Sequence, residues 1–197
     1  MQEYYIFYKP YLVLSQFSAE GDKPTLAGLL PGIPKNIYPV GRLDYDSEGL
    51  LLLTSDKALT HQLLTPGNGH RRTYYVQVEG AVTPEALERL RQGVTINIDG
   101  RDYYTKKATA ELLTEEPLLP GRNPPIRFRK SIPTSWVSLT LTEGKNRQVR
   151  KMTAATGFPT LRLVRYAIGK VNIDGMKPGE YKVAGPEIRK LLMPALR

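Results

Sequence analysis

The stretch that decides the fold of this chain is YPVGRLDYDSEGLLLLTSD, residues Tyr38–Asp56. Its first half carries a turn at Gly41 and a charged cluster over residues 42–48, and its second half is the apolar run Leu50–Leu53. A short apolar run that is bounded by turn residues predicts a buried β-strand. The acidic side chains therefore belong to the loop that leads into this strand. There they are either solvated charges or an active site on a rigid support.

Size and composition narrow the possibilities. The chain has 197 residues, which suits one domain, with or without two lobes, and a sizeable core. It has no cysteine, which excludes disulfides and thiolate chemistry. The two histidines, His61 and His70, have no third histidine near them, so we expect no metal site. Any catalysis must then use carboxylate, Tyr, Arg or Lys side chains.

Charge and hydropathy indicate the kind of partner and the compartment. The formal net charge is +9 and the sequence pI is ≈ 9.7, a balance that favours a polyanionic partner. The start MQEYYIFYKP lacks the apolar core of a signal peptide. No stretch reaches the roughly 20 apolar residues of a membrane-spanning helix, and we find no basic amphipathic helix. These patterns predict a cytoplasmic protein.

Local patterns predict more strands than helices. Residues 83–85, TPE, form a helix start with an N-cap, a proline and an acid, and Asp99–Gly100 is typical of a hairpin turn. Asn146 is expected to cap a basic helix. Because strands and helices do not alternate strictly, we predict an α+β fold with a central mixed, mostly antiparallel sheet and flanking helices and loops. Strands are predicted at residues 4–8, 37–40, 50–54, 73–78, 94–98, 135–142, 160–167, 171–173 and 181–183, and residues 102–113 are predicted to form one or two further strands. Helices are predicted at 25–30, 56–64, 84–92, 147–156 and 187–192.

The region Glu115–Pro133 is the least regular part of the sequence. Its prolines and Gly121 exclude a helix or a central strand. A loop of this length in a compact domain is usually functional or disordered. We therefore expect it to take part in substrate choice. It also carries four basic residues, Arg122, Arg127, Arg129 and Lys130.

The stretch GRLDYDSEGLLLLTSD resembles the catalytic-aspartate motif of the RsuA-type pseudouridine synthases. Further family-like stretches accompany it in the expected order over nearly the whole chain. Two of them, RNPPIRFRKSIPTSW at 122–136 and FPTLRLVRYAIG at 158–169, are most similar to the RluE-type subgroup. The others are KP at Lys9–Pro10, RRTYYVQV at 71–78, GKNRQVRKM at 144–152 and LRLVRYAIG at 161–169.

The resemblance implies a single catalytic domain over residues 1–197, with a cleft across a central mixed sheet. Because the chain begins almost at the first catalytic strand, we expect no N-terminal RNA-binding domain of S4 type. The family reaction detaches uracil from ribose C1′, turns it and rejoins it through C5. It involves no redox change and no net hydrolysis, so no cofactor is expected. The implied substrate is one uridine in domain V of 23S ribosomal RNA, and the family usually acts as a monomer.

Three residues match the family's catalytic positions. Asp44 matches the catalytic aspartate, and a carboxylate there can trap or stabilise a sugar cation or act as a base. Considered alone, its alternative role is that of a turn-capping residue. Tyr74 matches the tyrosine that stacks on the target uracil, while its neighbour Tyr75 points the other way and is expected in the core. Arg150 matches the basic partner that keeps the aspartate ionised.

Other matches imply substrate binding. Arg42 either holds the flipped-out state of the RNA or contacts a phosphate. Leu163 is either the pocket wall against the base or simple core. Lys145 and Arg147 are expected to meet phosphates. The remaining electrostatic footprint for RNA comprises Arg71, Arg72, Lys106, Lys107, Arg127, Arg129, Lys130 and Arg165.

Two alternatives to an RNA isomerase remain. A non-catalytic RNA-binding or ribosome-assembly module on the same fold predicts that Asp44→Asn affects nothing but binding. A glycosidase or N-glycosylase predicts released base or sugar and a second essential carboxylate, Asp46 or Glu48. The family pattern gives neither acid that role, and we interpret Glu48 as a loop-ordering residue. The intact aspartate motif, with its matching tyrosine and arginine, favours the isomerase.

Overall fold

The structure is a computed structural model that describes residues 2–127, 129 and 131–193. Lys130, one of the basic residues named above, lies outside this part of the chain. The elements are β1 (Tyr4–Lys9), α1 (Leu26–Leu29), β2 (Tyr38–Pro39), β3 (Glu48–Thr54), α2 (Lys57–Leu64), β4 (Arg72–Glu79), α3 (Pro84–Gln92), β5 (Thr95–Ile98), β6 (Arg101–Tyr104), β7 (Thr109–Leu113), β8 (Thr134–Leu141), α4 (Gln148–Ala155), β9 (Thr160–Ile168), β10 (Val171–Asn172), β11 (Tyr181–Ala184) and α5 (Ile188–Leu192).

The chain forms two compact units. The first comprises residues up to His70 and from Arg165 onward, and the second comprises Arg71–Val164. Strand β9 belongs to both, because its first five residues are assigned to the second unit and the rest to the first. Each unit has its own cluster of buried apolar residues.

The first unit is built on β3, the strand that the opening stretch predicts. The strand order in this unit is β11-β1-β3-β9, with β2 also paired to β3 and β10 to β9. All seven residues of β3 are buried, and Leu50–Leu53 are completely inaccessible. Strand β1 is antiparallel to β3, and this register sets Tyr8 opposite Leu50 and Lys9 opposite Gly49. A strand flanked on both sides and covered on both faces reads as a continuous apolar run.

Helix α2 and helix α5 share one buried anchor, Asp56. Its carboxylate caps α2 by accepting a hydrogen bond from the Leu59 amide at 3.0 Å. The same carboxylate accepts from the Tyr4 hydroxyl at 2.8 Å and pairs with Arg189 of α5. Since Asp56 is almost completely buried, these partners offset the desolvation of its charge.

The second unit has the strand order β9-β4-β8-β7, with β5 and β6 as a separate hairpin. Helices α3 and α4 contribute to its core cluster, which includes Val76, Leu90, Leu139 and Met152. Two local predictions are confirmed here. Thr83 caps α3 by accepting from the Ala86 amide at 3.2 Å, and the turn at 99–100 has φ of +50° and +84°.

One detail of the sequence prediction is wrong. Asn146 does not cap α4; the N-cap position is Arg147, in the left-handed region at φ +52° and without a side-chain cap. Instead, the helix start is closed by Gln148, whose Oε1 accepts from the Lys145 amide at 2.9 Å. Of the one or two strands predicted over residues 102–113, the structure has two, β6 and β7, and the Thr105 hydroxyl between them accepts from the Val94 amide at 3.0 Å.

The predicted class is confirmed. The strands form a mixed sheet in which antiparallel pairs dominate, and few helices accompany it, so the fold is α+β. Within the described residues, every helix is too short or too polar to span a bilayer.

Candidate active site

Asp44 lies at the centre of a short loop between β2 and β3. The Val40 amide donates to the Leu52 carbonyl at 2.7 Å, which attaches the start of the loop to β3. The Ser47 amide donates to the Asp44 carbonyl at 3.0 Å and closes a turn. Asp44 itself is half-buried. Its side chain is therefore mounted on a hydrogen-bonded loop and is still within reach of a ligand.

The two neighbouring carboxylates differ in exposure. Asp46 is half-buried, as Asp44 is, whereas Glu48 is only 2% exposed and forms the first residue of β3. A buried carboxylate at the end of a central strand acts on the protein around it rather than on a large external substrate. This burial agrees with the loop-ordering role that we assign to Glu48.

Lys9 is a member of this site that the sequence analysis did not place there. It is completely buried, and its Nζ donates to the carbonyls of Pro10 at 2.8 Å and Val13 at 2.7 Å. Burial lowers the pKa of Lys9 from 10.5 to about 7, although the carboxylates of Glu48, Asp46 and Asp44 oppose this change. The available signal was the Lys–Pro pair that ends β1.

Arg165 requires a correction. We expected it on the surface as part of the RNA footprint, but it is only 4% exposed, and its Nε donates to the Leu50 carbonyl at 2.8 Å. Its backbone also passes close to Gly49, where an added Cβ would lie 2.3 Å from the Arg165 carbonyl oxygen. Arg165 therefore supports the strand behind the acidic loop, and its contact with RNA stays a prediction. Its charge also contributes to lowering the pKa of Lys9.

Arg42 is exposed at the rim of the acidic loop. Its Nη2 donates to Gln16 Oε1 at 3.2 Å, a contact that a ligand can replace at low cost because both groups face water. This position fits a guanidinium that turns toward RNA. Both of its expected roles, holding the flipped-out state and binding a phosphate, stay predictions.

Tyr74 and Tyr75 lie on β4 in the second unit. Tyr74 is half-buried, packs against the core cluster and lies on the same strand face as the buried Val76 and Val78. Tyr75 points the other way, as expected: it lies on the opposite face, opposite Ser138 in the sheet register, and is half-buried. A half-buried ring next to apolar side chains is held at one edge and can present the remainder to a base.

Arg150 lies in the first turn of α4 and is half-buried. Lys145 and Arg147, which precede the helix, are both exposed. The Lys145 ammonium lies 4.8 Å from the centre of the Tyr103 ring. Exposed cations at the start of a helix, where backbone amides also point outward, suit phosphate binding.

Glu143 organises this basic segment. Its carboxylate accepts from the Tyr103 hydroxyl at 2.6 Å, from Gln148 Nε2 at 2.6 Å and from the Lys106 amide at 2.9 Å. Hydrogen bonding to Glu143 raises the pKa of Tyr103, as does burial. These three bonds fix the β5–β6 hairpin and the residues before α4 against each other. The basic residues on both segments therefore present a fixed pattern.

Two further predicted contacts have different environments. Leu163 is 5% exposed and belongs to the core cluster of the second unit, which agrees with the core interpretation. Arg72 is half-buried at the start of β4, and its contact with RNA stays a prediction.

In the region 115–133, Arg122 makes hydrogen bonds within the protein. It donates to the carbonyls of Pro124 at 2.8 Å, Pro125 at 2.9 Å and Leu161 at 3.3 Å. Arg127 and Arg129 are exposed in the same loop, and Arg129 pairs with Glu79 at 3.1 Å.

The predicted catalytic residues are distributed over the two units. Asp44 and Arg42 lie in the first, while Tyr74 and Arg150 lie in the second. The expected pairing of Arg150 with Asp44 stays a prediction. Among the described residues, no cluster of three or more His, Cys, Asp or Glu side chains could hold a metal ion.

Comparison with known proteins identifies the class. The family model for RNA pseudouridylate synthases matches residues 3–155 of this chain, so the chain belongs to the RNA pseudouridine synthase family. Members of this family are isomerases that convert uridine to pseudouridine in RNA.

The relatives point to one type within the family. The chain is 50% identical over 177 residues to the "Ribosomal large subunit pseudouridine synthase E" of Vibrio vulnificus, which covers 90% of this chain and 73% of that protein. It is 52% identical over 172 residues to the protein of the same name from Xanthomonas axonopodis pv. citri, which covers 86% and 87%. A solved pseudouridylate synthase superimposes with a TM-score of 0.79 at 26% identity, over 98% of this chain and 74% of that chain.

Proposed function

We propose that this enzyme isomerises one uridine to pseudouridine in domain V of 23S ribosomal RNA, with Asp44 as the catalytic carboxylate. The observation that carries the proposal is the contrast within the acidic loop: Asp44 is accessible on a hydrogen-bonded turn, whereas Glu48 is buried in β3. Two relatives that are about 50% identical to this chain over most of its length carry the name of the large ribosomal subunit. Their name supports ribosomal RNA as the substrate.

In the proposed reaction, the target uridine leaves the RNA stack and the Asp44 carboxylate faces C1′ of its ribose. The bond between C1′ and N1 of uracil breaks, and the carboxylate traps or stabilises the electron-poor sugar carbon or acts as a base. The detached uracil turns, C5 bonds to C1′, and the proton on C5 is lost while N1 gains one. Atoms and electrons balance within the nucleotide, so the chemistry needs no cofactor.

The other residues assist in named ways. Tyr74 stacks on the uracil and keeps it from leaving while it turns, a contact worth about 1–3 kcal/mol. Arg150 is the basic partner of Asp44 that the family resemblance implies. Arg42 holds the nucleotide in its flipped-out state, and Lys145 and Arg147 bind phosphates.

The setting follows from charge and substrate. A net charge of +9 attracts the RNA backbone over long distances. We place the enzyme in the cytoplasm, where ribosomes are assembled, and expect it to act as a monomer.

The region 115–133 is our candidate for substrate choice. Arg122 ties residues 124 and 125 to each other, and Arg162 Nη2 donates to the Pro120 carbonyl at 2.8 Å, so the loop has a defined shape. A tight turn, closed by the Leu119 amide on the Pro117 carbonyl at 2.7 Å, leaves Leu118 at its apex and fully exposed. An apolar side chain presented in this way can insert between nucleic-acid bases as a wedge. Leu118→Ala is expected to lower conversion of the target uridine, whereas Leu112→Ala, an exposed leucine on β7, is not.

The deciding experiment is pseudouridine mapping on 23S RNA treated with the wild-type enzyme and with Asp44→Asn. One new pseudouridine, absent with the variant, supports both the reaction and the catalytic residue. RNA binding without a new pseudouridine contradicts the isomerase and favours a binding module. Release of free uracil, together with dependence on Asp46, would indicate a glycosylase instead.

A further inference from the structure

The segment that follows β1 holds the Asp44 loop from both sides. The Ser15 hydroxyl donates to the Leu43 carbonyl at 2.9 Å and accepts from the Leu43 amide at 3.0 Å. The Leu12 amide donates to the Tyr45 carbonyl at 2.9 Å. Leu43 and Tyr45 are the two chain neighbours of Asp44. The backbone on each side of the proposed catalytic residue is therefore fixed by a segment 28 or more positions earlier in the chain.

The Ser15 contact is buried. Ser15 is 2% exposed and Leu43 is 7% exposed, so water cannot easily replace these hydrogen bonds. One hydroxyl satisfies both polar groups of the Leu43 backbone, using its single donor and one of its lone pairs. Without it, a buried amide and a buried carbonyl would lose their partner, and the loop would have to move to find others.

The holding segment is itself fixed in place. The Lys9 ammonium donates to the carbonyls of Pro10 and Val13, which lie on either side of Leu12. Leu12 has φ +56°, an unusual value for leucine that is kept by these surrounding bonds. The buried lysine, the turn after β1 and the Asp44 loop thus form one connected hydrogen-bonded frame.

We propose that Ser15 is a positioning residue for Asp44. This inference rests on the proposed function, in which Asp44 is the reacting carboxylate. Ser15 touches neither substrate nor reacting atoms and acts by fixing the Leu43 peptide, and through it the direction of the Asp44 side chain. Small displacements of a reacting group are costly, since a misplacement of about 1 Å can lower a rate about 10²-fold.

The test compares two variants of nearly equal shape, Ser15→Thr and Ser15→Val. Threonine keeps a hydroxyl and valine lacks one, so any strain from the added methyl group is common to both. The control is Ser135→Val in the second unit, because the Ser135 hydroxyl bridges the Gly80 carbonyl at 2.8 Å and the Val82 amide at 3.0 Å in the same manner. Asp44→Asn is measured alongside. For each protein we would measure the single-turnover rate of pseudouridine formation with saturating enzyme, and the RNA dissociation constant.

We expect Ser15→Val to convert the uridine about 10²-fold more slowly than Ser15→Thr, with RNA affinity unchanged. Ser135→Val should lose thermal stability but keep the wild-type rate. If Ser15→Val does not fold, Ser15→Ala, which adds no atoms, takes its place with the same expectation. Equal rates for the threonine and valine variants, or a loss that affects only RNA affinity, would overturn the positioning role of Ser15. The proposed function would still stand in that case, provided that Asp44→Asn is inactive. An active Asp44→Asn would overturn the proposed function, and this inference with it.

Discussion

The ammonium of Lys9 donates to the carbonyl oxygen of Val13 at 2.7 Å, inside a completely buried environment. Two carbonyls are its hydrogen-bond acceptors, and three carboxylates act on it electrostatically. A charged group at this position is costly to desolvate, and the lowered pKa of about 7 expresses that cost. This relationship gives the protein a specific dependence of stability on pH.

The free energy of unfolding should rise with pH above neutrality because of Lys9. Between pH 7 and 10.5 the unfolded chain binds the Lys9 proton more tightly than the folded chain, so raising the pH favours folding. Relative to Lys9→Met, the wild type should gain about 1–3 kcal/mol between pH 7 and 9.5, measured by urea unfolding. Lys57→Met, at the exposed start of α2, should show the same pH dependence of the free energy of unfolding as the wild type. A constant difference between wild type and Lys9→Met across this range would contradict the prediction.

Gly49→Ala should strongly destabilise the first unit. The residue has φ +108°, and an added Cβ would lie 2.3 Å from the Arg165 carbonyl oxygen and 2.7 Å from its nitrogen. The matched control is Gly67→Ala, which has φ +100° and nothing within 4 Å. Both variants carry the backbone strain, but only the first adds a clash, so it should lose at least about 2 kcal/mol more in free energy of unfolding. Equal losses would show that the contact with Arg165 can relax.

Tyr74→Leu should weaken the interaction with the target nucleotide, whereas Tyr74→Phe should not. Phenylalanine keeps the aromatic face, and leucine removes a stacking contact worth about 1–3 kcal/mol. Single-turnover kinetics as a function of enzyme concentration measure this difference, with Tyr75→Leu on the opposite strand face as the control. If Tyr74→Phe weakens the interaction as much as Tyr74→Leu does, the Tyr74 hydroxyl rather than its ring face contributes the binding energy.

Arg127→Gln and Arg165→Met should differ in their effects on RNA binding and on stability, because Arg127 is exposed and Arg165 is buried. Arg127 is exposed, so its loss should reduce the slope of log affinity against log salt by about 0.7–0.9. Arg165 is buried against the Leu50 carbonyl, so its loss should leave that slope unchanged and lower the free energy of unfolding by about 1–3 kcal/mol. RNA binding titrations at several salt concentrations and chemical unfolding test both. A change of slope in Arg165→Met would restore it to the RNA footprint.

Much of the chain was predictable from local sequence. The run Leu50–Leu53, the helix start at residues 83–85 and the turn at 99–100 depend on propensities and steric rules that act over a few residues. The aspartate motif was also predictable, because its charged, turn and apolar residues follow one another within a short stretch of sequence. The α+β class followed from the number and order of these elements.

Tertiary structure decided which charged side chains face inward. Lys9 and Arg165 are indistinguishable by type from the surface cations, yet both are buried. Backbone carbonyls accept their hydrogen bonds, those of Pro10 and Val13 for Lys9 and that of Leu50, 115 residues away, for Arg165. Arg122 is likewise turned to backbone carbonyls of its own loop and of Leu161.

The sequence by itself therefore determined the strands, the turns and the position of Asp44 at the head of a buried strand. Only the folded chain decided what holds Asp44 in place, since the Ser15 hydroxyl meets the Leu43 backbone across 28 residues. The physical reason is the distance along the chain over which each interaction acts. Backbone propensity and turn chemistry act between neighbours, whereas desolvation and buried hydrogen bonds depend on groups that become neighbours only in the folded state.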